Sequence, residues 1–150
     1  MLSLIVEMFS NFFKKKYNKL SFEDIQFVMQ NKEQFILINT LMVSDQDCLI
    51  KNTISYIEEE QLINKMITNY DLNSTKIIVY GKNNIDESSF QKYDQLVNLG
   101  FLNIYIYVGG MFEWLMLQDI YGVDAFPTTK KQLDILKYKP IRTFGSKLLL

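Results

Sequence analysis

The chain has no histidine and only one cysteine, Cys48, in 150 residues. The missing histidine excludes a Ser-His-Asp triad, a Cys-His pair and every His-bearing metal site together. One cysteine cannot close an internal disulfide, which suits a reducing, cytoplasmic setting. A dominant charge is lacking too: 16 basic and 17 acidic residues leave a net charge of −1. No global field therefore draws in nucleic acid or an anionic surface. Repeats, low-complexity tracts and domain linkers are also missing, and no residue pattern points to a metal or a cofactor.

What is present is the composition of one globular domain. Apolar residues make up 48% and charged residues 22%, over a length that can bury a proper core. Aromatics reach 14%, with 11 Phe and 9 Tyr. Together with many Ile, Asn and Lys, this residue usage fits an AT-rich coding genome.

The first stretch, MLSLIVEMFSNFFKKKYNKL, places Leu2, Ile5, Val6, Phe9 and Phe13 at helical spacing. Its lysines follow the apolar run instead of preceding it, the reverse of a targeting signal. Glu7 interrupts the run, which is too short to cross a bilayer. The pattern predicts a helix that docks on the domain. A Phe-rich face followed by Lys14-Lys15-Lys16 and Lys19 would also suit a partner protein or a membrane surface. The basic run itself reads as a solvated face.

Further on, Ser21 with Asp24 three residues later has the form of a capping box, opening a short helix through Ile25, Val28 and Met29. FILIN, Phe35 to Asn39, is an apolar run of strand length, followed by a polar loop from Ser44 to Cys48. A helix is predicted from Thr53 to about Tyr70, with Leu62, Ile63, Met66, Ile67 and Tyr70 on one face. Glu58-Glu59-Glu60 lies in its first half, as a solvated helix start.

KIIVY, Lys76 to Tyr80, is a second strand. The helix after it carries Phe90, Tyr93, Leu96 and Val97 and stops at Gly100, a natural left-handed position. A third strand spans Asn103 to Val108, with Tyr105 and Tyr107 on one face as half-buried wall residues. MFEWLMLQDIYG then reads as a helix closed by Gly122, and TTKKQLDILKYKP as one last short helix. Apolar strands alternating with helices predict an α/β domain with a parallel sheet covered on both faces.

IIVYG, the helix end LVNLGF and NIYIYVGGMFEW together resemble the rhodanese-like family, through Leu96, Gly100, Phe101, Val108, Gly109, Gly110 and Trp114. Ser21 to Ile25 followed by FILINT is similar to the family's first helix and strand, so the likeness spans roughly residues 20 to 122. It divides the chain into a helical extension at 1–19, a rhodanese-like domain at 20–125 and a tail at 126–150. The ending GGMFEWLMLQDIYG…FPTT also looks like rhodanese-like proteins of giant DNA viruses.

The resemblance implies a reactive loop after KIIVY. In active members a cysteine there carries a persulfide, held by loop N–H groups and a helix N-terminus. The cysteine position falls on Gly81, the loop glycine on Asn84 and the arginine on Asp86. Nucleophile and cation are both missing from Gly81-Lys82-Asn83-Asn84-Ile85-Asp86, and Asp86 and Glu87 put carboxylates at the helix start instead. Asn83 and Asn84 suit a tight turn. Asn39 and Leu41 replace the family's Asp and Arg, and Cys48 falls near a glycine position rather than the catalytic one.

The expectation is a catalytically inactive rhodanese-like module that binds a protein partner or itself, in the cytoplasm, an infected host or a virion. The alternative is a sulfurtransferase using Cys48 as a relocated nucleophile. A small-ligand pocket at the strand ends is a third possibility by topology. Gly81-Lys82 lacks the rest of a phosphate-binding loop, and Glu113 and Asp119 flank Trp114 on a helix that reads as core packing.

Overall fold

The computed structural model describes residues 2–13 and 16–145, with side chains except at 10–13. The Phe13 side chain, Lys14 and Lys15 of the basic run, and residues 146–150 of the FGSKLLL tail lie outside what it describes. The order is α1 (Leu2–Phe13), β1 (Lys19–Leu20), α2 (Phe22–Gln30), β2 (Phe35–Asn39), α3 (Tyr56–Thr68), β3 (Lys76–Tyr80), α4 (Glu87–Asn98), β4 (Ile104–Tyr107) and α5 (Gly110–Tyr121). The strands form one parallel sheet in the order β1-β4-β3-β2.

Strand alternation sorts the apolar residues into two cores. Leu37, Ile78, Tyr80 and Tyr107 face one layer, with Ile25 and Val28 of α2 and Met111, Trp114 and Leu115 of α5. Ile38, Ile77, Val79, Ile104 and Ile106 face the other, with Ile63 and Met66 of α3 and Tyr93 and Leu96 of α4. Helices thus cover both faces, as the unbroken apolar strands require. Trp114 is fully buried, and its indole N–H donates to the Pro127 carbonyl at 3.1 Å.

Local chemistry sets the element ends. The Ser21–Asp24 capping box forms in both directions and starts α2. Gly100 and Gly122 follow α4 and α5 at φ of +104° and +100°. The sequence misses β1, because two residues are too few for a pattern. Lys19 and Leu20 pair with Ile106 and Tyr107 and extend the sheet by one strand.

Four expectations are corrected. Tyr70 is not on the buried face of α3: the helix ends at Thr68, and Tyr70 sits beyond it at φ +54°, 91% exposed. Tyr107 is not half-buried but wholly enclosed, while Tyr105 is only partly covered. The first helix forms, yet Leu2, Ile5 and Val6 remain exposed instead of docking on the domain. The last predicted helix is a 3₁₀ turn at Ile135–Tyr138, whose Tyr138 joins the core beside Cys48, Tyr80 and Phe126.

The second glycine of the Gly109-Gly110 pair fixes how α5 meets the sheet. Gly110 has φ +65°, and a Cβ there would lie 2.6 Å from the Gly81 carbonyl oxygen. That approach lets Met111 N donate to the Gly81 carbonyl at 3.0 Å and Phe112 N to the Lys82 carbonyl at 2.9 Å. Gly110→Ala combines a left-handed backbone with a backbone clash. It is expected to cost about 2 kcal/mol or more, read as a lower urea midpoint.

Candidate functional site

The loop Gly81–Asp86 joins the carboxyl end of β3 to the N-terminus of α4, where open parallel sheets bind ligands. Its organising group is the Asp86 carboxylate. One oxygen accepts the Lys82 backbone N–H at 2.9 Å and the other accepts Ser88 N–H at 3.0 Å. Asp86 is thus the N-cap of α4 and the clasp of the loop together. The backbone donors at the start of the loop and the start of the helix are taken by an anion belonging to the chain.

Asn83 holds the other side. It is 6% exposed, its amide donates to the Tyr138 carbonyl at 3.0 Å, and its Oδ1 accepts Ile85 N–H at 3.1 Å. The turn therefore closes through the Asn83 side chain; neither Asn83 nor Asn84 takes a positive φ. Thr40, after β2, donates its N–H to the Tyr80 carbonyl at 2.9 Å, and its hydroxyl lies 2.8 Å from that of Ser88. Thr40, Ser88 and the tail partner Tyr138 carry no chemical signal in sequence, since each acts only through a neighbour brought by the fold.

Gly81 stands at the centre. A Cβ built on it would lie 2.6 Å from Asp86 Oδ2 and 3.1 Å from Thr40 Oγ1. Any side chain at position 81 thus competes with the Asp86 carboxylate for one space. A thiol there would also sit beside a negative charge, which disfavours the thiolate.

A cleft of about 300 Å³ opens over this loop. Its lining includes Thr40, Met42, Lys82, Ile85, Asp86 and, from the tail, Lys139 and Ile141. Met42, Ile85 and Ile141 are 71%, 53% and 83% exposed at its mouth. Asp45, also on the lining, is paired with Lys137 at 3.0 Å.

Cys48 is not on the lining of this cleft; it belongs to the core layer with Tyr80 and Tyr138. It is 3% exposed, and its S–H donates to the Lys130 carbonyl at 3.2 Å. Burial pushes the thiol above its ordinary value. Glu113 accepts the Tyr107 hydroxyl at 2.8 Å. Glu59 of the acidic triplet pairs with Lys92 of α4 at 3.0 Å. Among the described residues, no group of three potential metal ligands comes together.

The sequence model of the family described as "Rhodanese-like domain" matches residues 29–117, more than half of the chain. The chain belongs to the rhodanese-like domain family. No curated protein matches it. Among solved structures, this rhodanese-like domain is similar to a protein of Anabaena sp., at 18% identity over 79% of this chain and 97% of that one, with a TM-score of 0.55. A Bacillus halodurans protein aligns at 17% identity over 89% of this chain and 98% of its own, with a TM-score of 0.55. A thiosulfate sulfurtransferase from Pseudomonas aeruginosa aligns at 18% identity over 67% of this chain but 19% of its own, with a TM-score of 0.53. These likenesses show the fold: a parallel α/β sheet with helices on both faces.

Two measurements follow from the buried groups. Cys48 is expected to resist a thiol reagent such as DTNB in the native protein and to react once denaturant opens the core. Burial raises the proton affinity of Tyr80 and Tyr107 as well, with the Glu113 charge adding to the effect at Tyr107. In all three the folded state keeps a proton that the unfolded chain releases. Stability is therefore full below their ordinary values of 9.0 and 10.0 and falls as pH rises through them. Urea midpoints measured from neutral pH upward are expected to decline from about pH 9.

Proposed function

We propose that this protein is a catalytically inactive rhodanese-like domain that serves as a protein-binding module. The observation that carries the reading is the Asp86 carboxylate, which takes the Lys82 and Ser88 N–H groups and the space beside Gly81. A persulfide carrier needs a thiol at that point and free donors around it. Here a glycine stands in place of the thiol, and an internal anion would repel thiosulfate or phosphate.

The Cys48 alternative has less support. A sulfur-transfer nucleophile must be reachable and ionised, whereas this thiol is enclosed and holds its proton. The binding role draws on the cleft mouth. Met42, Ile85 and Ile141 expose apolar surface there, beside Lys82 and Lys139. Neither lysine is in an ion pair among the described residues. An apolar patch with charged edges suits contact with another protein. The viral setting enters this reading only through the resemblance of the GGMFEW…FPTT ending and the residue usage.

A thiosulfate:cyanide assay tests the proposal. The wild-type protein and Cys48→Ser are both expected to give background rates; turnover in the wild type that vanishes with Cys48→Ser would overturn the inactive reading. Gly81→Cys alone is also expected to stay at background, because Asp86 opposes both the thiolate and the substrate. Turnover is expected only when Gly81→Cys is combined with Asp86→Arg.

A further inference from the structure

The apolar side chains of α1 from Leu2 to Met8 are exposed. Leu2, Leu4, Ile5, Val6 and Met8 are 77%, 58%, 45%, 61% and 64% exposed. Between Leu2 and Phe9 only Ser3 and Glu7 are polar, and they stand one turn apart on the same side. The apolar residues therefore cover a broad arc, not the narrow stripe of a helix that pairs with another helix. A continuous apolar solvent fits such an arc better than a single seam does.

Charge indicates which solvent. Lys16 and Lys19, just after the helix, are both exposed. The intervening sequence adds Lys14-Lys15, and no acid occurs between Glu7 and Glu23. The nearly neutral chain thus gathers positive charge at the foot of its most apolar exposed helix. With 12 residues α1 is about 18 Å long, short of the roughly 30 Å of a hydrocarbon core. Among the described residues no helix is long and apolar enough to cross a membrane.

We propose that α1 is a membrane-surface element. It lies in the plane of an anionic phospholipid bilayer with its apolar arc in the acyl boundary, while Lys16 and Lys19 meet the lipid phosphates. The rest of the domain, with the Gly81–Asp86 cleft, is held at that surface.

The test is co-sedimentation of the full chain with vesicles of phosphatidylcholine, with and without phosphatidylserine. Strong binding is expected only with phosphatidylserine, weakening as salt is raised. Lys16→Gln with Lys19→Gln is expected to weaken it about fivefold per lysine. Ile5→Glu with Val6→Glu is expected to abolish it. Both positions are exposed, so fluorescence of the buried Trp114 should stay unchanged and report an intact fold. Failure to sediment with either vesicle would overturn the proposal, as would equal sedimentation by the wild type and both variants. Concentration-dependent dimerisation lost in Ile5→Glu/Val6→Glu, without vesicle binding, would assign the helix to a second copy instead.

Discussion

Between Ile77 and Tyr80 the β3 strand has no side chain in contact with solvent, and both helical layers are hung from it. Ile78 and Tyr80 anchor the side of α2 and α5, and Ile77 and Val79 anchor the side of α3 and α4. A strand buried on both faces permits polar groups only where each is paired. Tyr80 meets that condition, since its hydroxyl accepts Ile50 N–H at 3.2 Å and lies 2.7 Å from Thr53 Oγ1. The loop leaving β3 therefore starts from a fixed point, and its first carbonyls reach directly into the N-terminus of α5.

That rigidity explains how the loop holds its form with no thiol and no arginine in it. The turn needs an acceptor for the early N–H groups, a cap for α4 and an anchor to the neighbouring segments. Asp86 supplies the first two, while Asn83 and Gly110 supply the third. None of these roles calls for a thiol or an arginine. Main-chain carbonyls and one carboxylate carry the framework of this loop.

Much of this was legible in the chain. The strands at FILIN, KIIVY and IYIY, the Ser21 cap and the glycine helix stops follow from hydrophobic runs and local backbone chemistry, which act over a few residues. The capping role of Asp86 was legible through its place before a helix. Other features were hidden because they depend on distant partners. Asn83 reaches Tyr138 across 55 residues, and Thr40 meets Ser88 across 48. The fate of α1 was hidden for another reason: periodicity marks a helix as amphipathic without saying what its apolar side meets.

The sheet's edges bear on how the protein can meet others. On one side β1 offers only two residues, with the Lys19 side chain exposed. On the other, the Leu37 carbonyl of β2 is already taken by Ile54 N–H at 2.9 Å, and Leu37 bridges to Thr53. Little backbone is therefore left for an incoming strand to extend the ladder. What the domain presents to its surroundings is therefore side chains, which can be exchanged at the surface while the hydrogen-bonded scaffold stays as it is.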